Sequence, residues 1–401
     1  GDDTRSWGPP FLGKDGQHVT KPSSTSNAIS TYFLSVNRNK QSIAIDMKKD
    51  KGQEICYRLA TEWADVVVEN FKVGTMERLG LGYETLQHSN PGLVYCSITG
   101  FGNTGPLSTR PGYDVIASGM YGLMSITGDE HGDPAKVGVA ITDILTGTLA
   151  QGGILAALHE RHRTGLGQRV DTSLMETQLA SLVNIASSSL NSPPNSPPPK
   201  RRGTSHESIV PYQTFQCKTP TDSTTPNDEY VVVGAGNDAQ FQKLCNVMNL
   251  PTVASDMRFA TNASRVAHRS ELIGLLQDQF KQKSRDEWVT LLEGKGFPMG
   301  PVRTVPESFQ CEQAIHREMT MKIHHPLAGV VRVPGSPVKY SGIHASQQEQ
   351  NAEKGEGDTR LCLPPPMLGE HTKDVLTDVL EMTPTEIEHL VNAAVVECWE
   401  K

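Results

Sequence analysis

Short apolar runs alternate with segments of helical periodicity through the first hundred residues. Residues 42–46 (SIAID) predict a strand, and residues 51–64 place Ile55, Leu59, Ala60 and Trp63 at helical spacing. Residues 65–69 (DVVVE) predict a buried strand, residues 74–86 a mostly helical stretch, and residues 93–98 (LVYCSI) another strand after the Asn90-Pro91-Gly92 turn. Strand–helix–strand alternation of this kind implies parallel pairing with helices packed on the sheet. An apolar helix is predicted from Asp143 to Leu158, running on into the charged HERHR, with the glycines of TGLG as its stop. Residues 168–173 (QRVDTS) alternate as a strand, and a second helix runs to about Leu190.

The tract 191–204, NSPPNSPPPKRRGT, is excluded from helix and interior strand by its prolines and reads as an extended linker. Beyond it lie β-rich residues 212–218, the polar loop TPTDSTTPND, residues 229–233, and helical stretches over 238–248 and 270–293. A polar segment, SQQEQNAEKGEGD, begins at Ser346. The last helix has a start signal: Thr383 as cap, Pro384 in the first turn, and Glu386 closing a capping box. No internal repeat is visible.

Composition narrows the functional classes. The 401 residues exceed one ordinary core, and 20% charged against 36% apolar residues is a globular balance. A formal net charge of −8 without a long basic run argues against nucleic acid as partner. Gly and Ser interrupt the apolar runs, so no unbroken stretch of about 18 to 20 apolar residues reads as a membrane span. Seven widely spaced cysteines without a CxxC fit neither a disulfide framework nor a zinc site, and suit a reducing compartment. The opening GDDTRSWGPP reads as neither a signal nor a transit peptide. The basic cluster Lys200-Arg201-Arg202 reads as solvated linker.

Few residues carry chemistry on their own. His159 and His162 lack the spacing of a metalloprotease pair and sit as cations near a helix end, and His324-His325 adds nothing to a metal reading, so no metal is expected. Gly234-Ala235-Gly236 follows the apolar strand YVVV, but the third glycine of a dinucleotide loop is missing, so a ligand-facing turn and a plain turn stay open. Asp143, taken alone, reads first as a helix N-cap, and the same geometry also allows a carboxylate nucleophile kept ionised by the helix terminus.

The ordered set of motifs resembles the class III CoA-transferases, the group of formyl-CoA transferase, carnitine CoA-transferase and the α-methylacyl-CoA racemases. The segments are GDDTRSWGPP, NRNKQSIAIDMK, VENFKVGTMERLGLGYE, ITGFGNTGPLSTRPGYD, KVGVAITD, TGLGQRVDTSL, VVVGAGNDAQF and LGEHT, and together they cover nearly all the chain. Members carry a strand–helix–strand unit ahead of the GDxTR motif, and the CoA contacts of that unit are not assigned to residues of this sequence.

The resemblance implies an α/β fold: a Rossmann-like large domain with a smaller α+β domain, in an interlocked homodimer. The expected bounds are 1–190 for the first part of the large domain, 191–204 for the linker, 205–323 for the small domain, and 324–401 for the return. It further implies that Asp143 is the catalytic aspartate, forming an acyl anhydride and then an aspartyl-CoA thioester. Tyr113 and Asp114 would lie near the reaction centre, Gly234 and Gly236 in a covering loop, and Lys48, Asn70, Phe71 and Arg78 against CoA. No permanent cofactor is implied, the CoA thioester being a substrate. The expected donor is succinyl-CoA and the acceptor a dicarboxylic acid such as glutarate or hydroxymethylglutarate. Arg110, Lys136 and Arg38 are candidates for holding the distal carboxylate, an unpaired buried charge being costly. A mitochondrial setting is implied, with no nucleic acid or membrane partner. Two alternatives are a racemase, disfavoured because Tyr113 stands where racemases use histidine and a phenol titrates near ~10, and a non-catalytic CoA-binding protein.

Overall fold

The computed structural model describes residues 1–20, 28–219, 229–340 and 363–399, so the polar segments 220–228 and 346–358 lie outside the described residues. The chain packs as two compact units: residues 1–97, 151–171 and 307–401 form the first, and residues 98–150 and 172–306 the second. This division runs across the expected bounds, since residues 98–150 and 172–190 belong to the same unit as 205–306.

In the first unit, Val66–Glu69 and Val94–Thr99 pair in parallel, and the sheet order continues to Arg169–Ser173. The parallel strand 94–99 is buried along nearly all its length, as expected where both sheet faces are covered. Leu81, Leu86, Leu93 and Tyr95 share one core with Ala60 and Met76, which joins the sheet to the helical turns beside it. The expected helix over 51–64 is an α-helix, Asp50–Arg58, that relaxes into one π turn, Leu59–Trp63. The expected strand at 42–46 is short, Ala44–Ile45, and pairs antiparallel with Val396–Glu397 near the other end of the sequence. Ile55 from that first helix packs with Leu376, Leu380, Ile387 and Leu390. The last helix, Pro384–Asn392, begins on the predicted capping box of Thr383 and Glu386.

The second unit holds an antiparallel sheet in the order Met299–Pro301, Tyr230–Gly234, Tyr212–Gln216. Phe215, Val231, Val233, Phe241, Leu244, Phe280 and Trp288 fill its core. Arg265 is fully buried there; its Nε donates to the Val210 carbonyl at 2.7 Å and its Nη1 to that of Phe259 at 3.0 Å. Nothing in the sequence marked this arginine as interior. The linker 191–204 contains neither helix nor strand. Its basic residues are less free than expected: Arg201 donates to the carbonyls of Asp129 (3.2 Å) and Gly132 (2.8 Å), and Lys200 pairs with Glu130.

The longest helix is Ile141–Thr164, with Arg161, His162 and Arg163 in its last turn where cations suit the helix dipole. Gly165 follows in the left-handed region at φ 77°, and its amide donates to the Arg161 carbonyl at 2.7 Å, the predicted glycine stop. By length and composition this helix could cross a membrane, a feature the run-by-run reading missed because Gly and Thr dilute its apolar stretch. Ile144, Leu149 and Leu155 are more than half exposed on it.

Candidate active site

Asp143 occupies the first turn of the long helix, which begins at Ile141. It is therefore inside the helix and not its N-cap. The first amides of any helix lack an intrahelical acceptor, and here an acid from elsewhere takes them. Asp114 Oδ1 accepts from the Thr142 amide at 2.7 Å and from the Asp143 amide at 3.4 Å. The Asp143 carboxylate itself has no hydrogen bond or ion pair among the described residues. Asp143 is exposed in the single chain, yet its carboxyl is pushed above the ordinary carboxylate range, first by the protein mass that partly desolvates it and then by the Asp114 charge.

The residue between the two acids is locked. Thr142 is 1% exposed; its hydroxyl donates to Gln178 Oε1 at 2.7 Å and lies 3.2 Å from the Ser118 hydroxyl. Asp114 opens the helix Asp114–Met120, and the chain just ahead of it is fixed by a backbone contact between two glycines. A Cβ on Gly112 would stand 2.5 Å from Gly100 Cα, and one on Gly100 2.7 Å from Gly112 Cα. Only glycine allows this approach. Both glycines lie in motifs read from the sequence, but nothing in the sequence paired them, and the Thr142–Gln178–Ser118 cluster carried no signal at all.

The other expected residues divide between the units. Tyr113 is 67% exposed beside Asp114. The Arg110 guanidinium sits 5.7 Å from the Phe101 ring centroid and has no ion pair among the described residues. Lys136 Nζ donates to the Val137 carbonyl at 3.1 Å. Gly234 ends its strand with its amide on the Pro298 carbonyl at 2.9 Å, and the Gly236 amide is taken by Gln240 Oε1 at 2.8 Å, so both glycines serve the turn into the next helix. All of these belong to the second unit with Asp143.

Lys48, Asn70, Phe71, Arg78 and Arg38 belong to the first unit. Phe71 is 42% exposed, and its amide donates to Glu69 at 2.8 Å. Arg78 contacts Thr75 Oγ1 at 3.2 Å and, among the described residues, pairs with no carboxylate. Lys48 and Asn70 are exposed. Arg38 Nη1 donates to the Pro334 carbonyl at 2.6 Å. Among the described residues no group of three or more His, Cys, Asp or Glu could hold a metal.

Residues 1–372 match the model of CoA-transferase family III, and the chain belongs to that family of enzymes. It is 43% identical over 397 residues to the succinyl-CoA:glutarate CoA-transferase of Mus musculus, covering 99% of this chain and 82% of that protein. It is 37% identical over 388 residues to the succinate–glutarate CoA-transferase of Agrobacterium fabrum, covering 96% and 88%. Among solved structures, a CAIB/BAIF family protein from Brucella suis superposes with a TM-score of 0.76 at 38% identity, covering 94% of this chain and 89% of that one.

Proposed function

We propose that this enzyme moves CoA from succinyl-CoA to glutarate or a similar dicarboxylic acid, with Asp143 as the nucleophile. The observation that carries this reading is a first-turn carboxylate with no hydrogen-bond partner among the described residues, while Asp114 takes the Thr142 and Asp143 amides. The names of the relatives support the substrate pair.

The Asp143 carboxylate attacks the thioester carbonyl, and CoA leaves as thiolate from a succinyl–aspartyl anhydride. The thiolate attacks the aspartyl carbonyl, giving the aspartyl-CoA thioester and free succinate. The acceptor carboxylate then displaces the thiolate to form a second anhydride, and the thiolate takes the acceptor's acyl group and releases Asp143. No water or redox equivalent is consumed, and the thioester energy is kept at each step. A carboxyl pushed upward is a stronger nucleophile once ionised, which suits attack on a thioester.

For the distal carboxylate, Arg110 is the preferred partner of the three cations. It lies in the same unit as Asp143 and, among the described residues, is not bonded to a carbonyl, whereas Lys136 and Arg38 are. Lys48, Asn70, Phe71 and Arg78 are the proposed CoA contacts, with Arg78 suited to phosphate by its bidentate fork. The exposed apolar side chains Ile144, Leu149, Leu179 and Val183 support a homodimer in which a second copy covers them.

The test is exchange between succinyl-CoA and glutarate by the natural protein and by Asp143→Asn, beside a panel of other dicarboxylic acids. Loss of the nucleophile lowers kcat at least about a thousandfold. An Asp143→Asn protein exchanging at the natural rate overturns the reading.

A further inference from the structure

We propose that Asp114 is a positioning residue for the reaction: by capping the long helix from outside, it stops Asp143 from capping that helix itself. The inference rests on Asp143 being the nucleophile, and its evidence is a division of labour between two acids. A helix offers its first amides to whatever acceptor is near, and an acid in the first turn is well placed to reach back and take one. Asp143 is such an acid. Among the described residues it makes no such bond, and Asp114 Oδ1 lies on both the Thr142 and the Asp143 amides.

Asp114 is supplied to the helix by independent constraints. It belongs to a different helix, and the close backbone contact of Gly100 with Gly112 fixes the chain just before it. Thr142, whose amide it holds most closely, is also gripped through its side chain by Gln178 and Ser118. The backbone that carries Asp143 is therefore held at its amide and at the preceding side chain, while the carboxylate is held by none of the described residues. A nucleophile needs that combination: a fixed base and a free head.

The distinguishing measurements are hydrogen exchange at the Thr142 amide and steady-state kinetics on Asp114→Ala and Asp114→Asn. No intrahelical acceptor exists for that amide, so its protection reports on residue 114 directly. Asparagine keeps the accepting oxygen and alanine removes it. The expected result is that Asp114→Ala loses protection at Thr142 and about a hundredfold in kcat, with KM for succinyl-CoA within about twofold. Asp114→Asn is expected to keep the protection and most of the kcat.

Protection and kcat unchanged in Asp114→Ala overturn the proposal. So does an Asp114→Asn protein that keeps protection but is as slow as the alanine variant, since charge and not capping would then be at work. If Asp114→Ala fails to fold, loss of Thr142 protection in Asp114→Asn is the overturning result. The exchange measurement does not depend on turnover. An active Asp143→Asn protein would sink the nucleophile assignment while leaving the capping result to stand or fall separately.

Discussion

Replacing Gly112 by alanine puts a methyl carbon 2.5 Å from Gly100 Cα, inside the 3.0 Å that real Cβ contacts respect. The obstacle is backbone, so no side chain can swing aside. The two segments must part by about 0.5 Å to reach that lower limit and by about 1 Å for ordinary contact. Overpacking of this size costs about 1–3 kcal/mol. The displaced segment leads straight into Asp114, whose 2.7 Å bond to the Thr142 amide cannot stretch by that much and survive. A shift near 1 Å at a reacting group costs about a hundredfold in rate. The assay is urea unfolding beside CoA exchange on Gly112→Ala, with Gly74→Ala as a control, because Gly74 has a left-handed φ of 84° but open space around it. The control is expected to lose stability only. A Gly112→Ala protein with natural stability and natural kcat would refute the argument that this glycine contact sets the site.

Arg78→Ala is expected to raise KM for succinyl-CoA about tenfold with kcat nearly unchanged, since a charge-assisted phosphate contact is worth about 1.5–3 kcal/mol; stability should barely move, because among the described residues Arg78 has no carboxylate to lose. His325 is 3% exposed, with Nε2 3.1 Å from the Pro365 carbonyl and Nδ1 accepting from the Leu327 and Ala328 amides. Burial pushes its pKa down, so the folded state holds the neutral ring. Its stabilisation is complete above the unfolded value of about 6.5 and is lost as pH falls from there through the folded value. Urea midpoints from pH 7.5 to 5 should therefore fall less steeply in His325→Asn than in the natural protein. Arg265→Met should destabilise by about 2–4 kcal/mol, by leaving the buried Val210 and Phe259 carbonyls without their donor and Asp238 without its 2.8 Å ion pair.

The elements were legible where local chemistry decides them. The strands at 66–69 and 94–99, the glycine stop at Gly165 and the capping box at Thr383 follow from apolar runs, φ freedom and side-chain caps. The start of the long helix was misplaced because its cap is 28 residues away in sequence, at Asp114, and no local signal announces a cap borrowed from another helix. The same distance hid the site's organisation. Asp143 and Asp114 were both named, but their shared helix start, the Gly100–Gly112 contact and the grip on Thr142 are tertiary facts. Lys200 and Arg201 looked solvated because their partners, Glu130 and two loop carbonyls, lie some seventy positions earlier. The buried Arg265 departs from composition rules for the same reason: it holds two backbone carbonyls, which sequence does not display, and pairs at 2.8 Å with Asp238, a carboxylate distant in sequence.

The central claim is a covalent one, and covalent capture tests it. The protein is incubated with succinyl-CoA and no acceptor, quenched with hydroxylamine or borohydride, and mapped by peptide mass spectrometry. Modification is expected at Asp143, absent from Asp143→Asn and reduced by an excess of glutarate added before the quench. Modification at any other side chain, or none during active exchange, would contradict the claim.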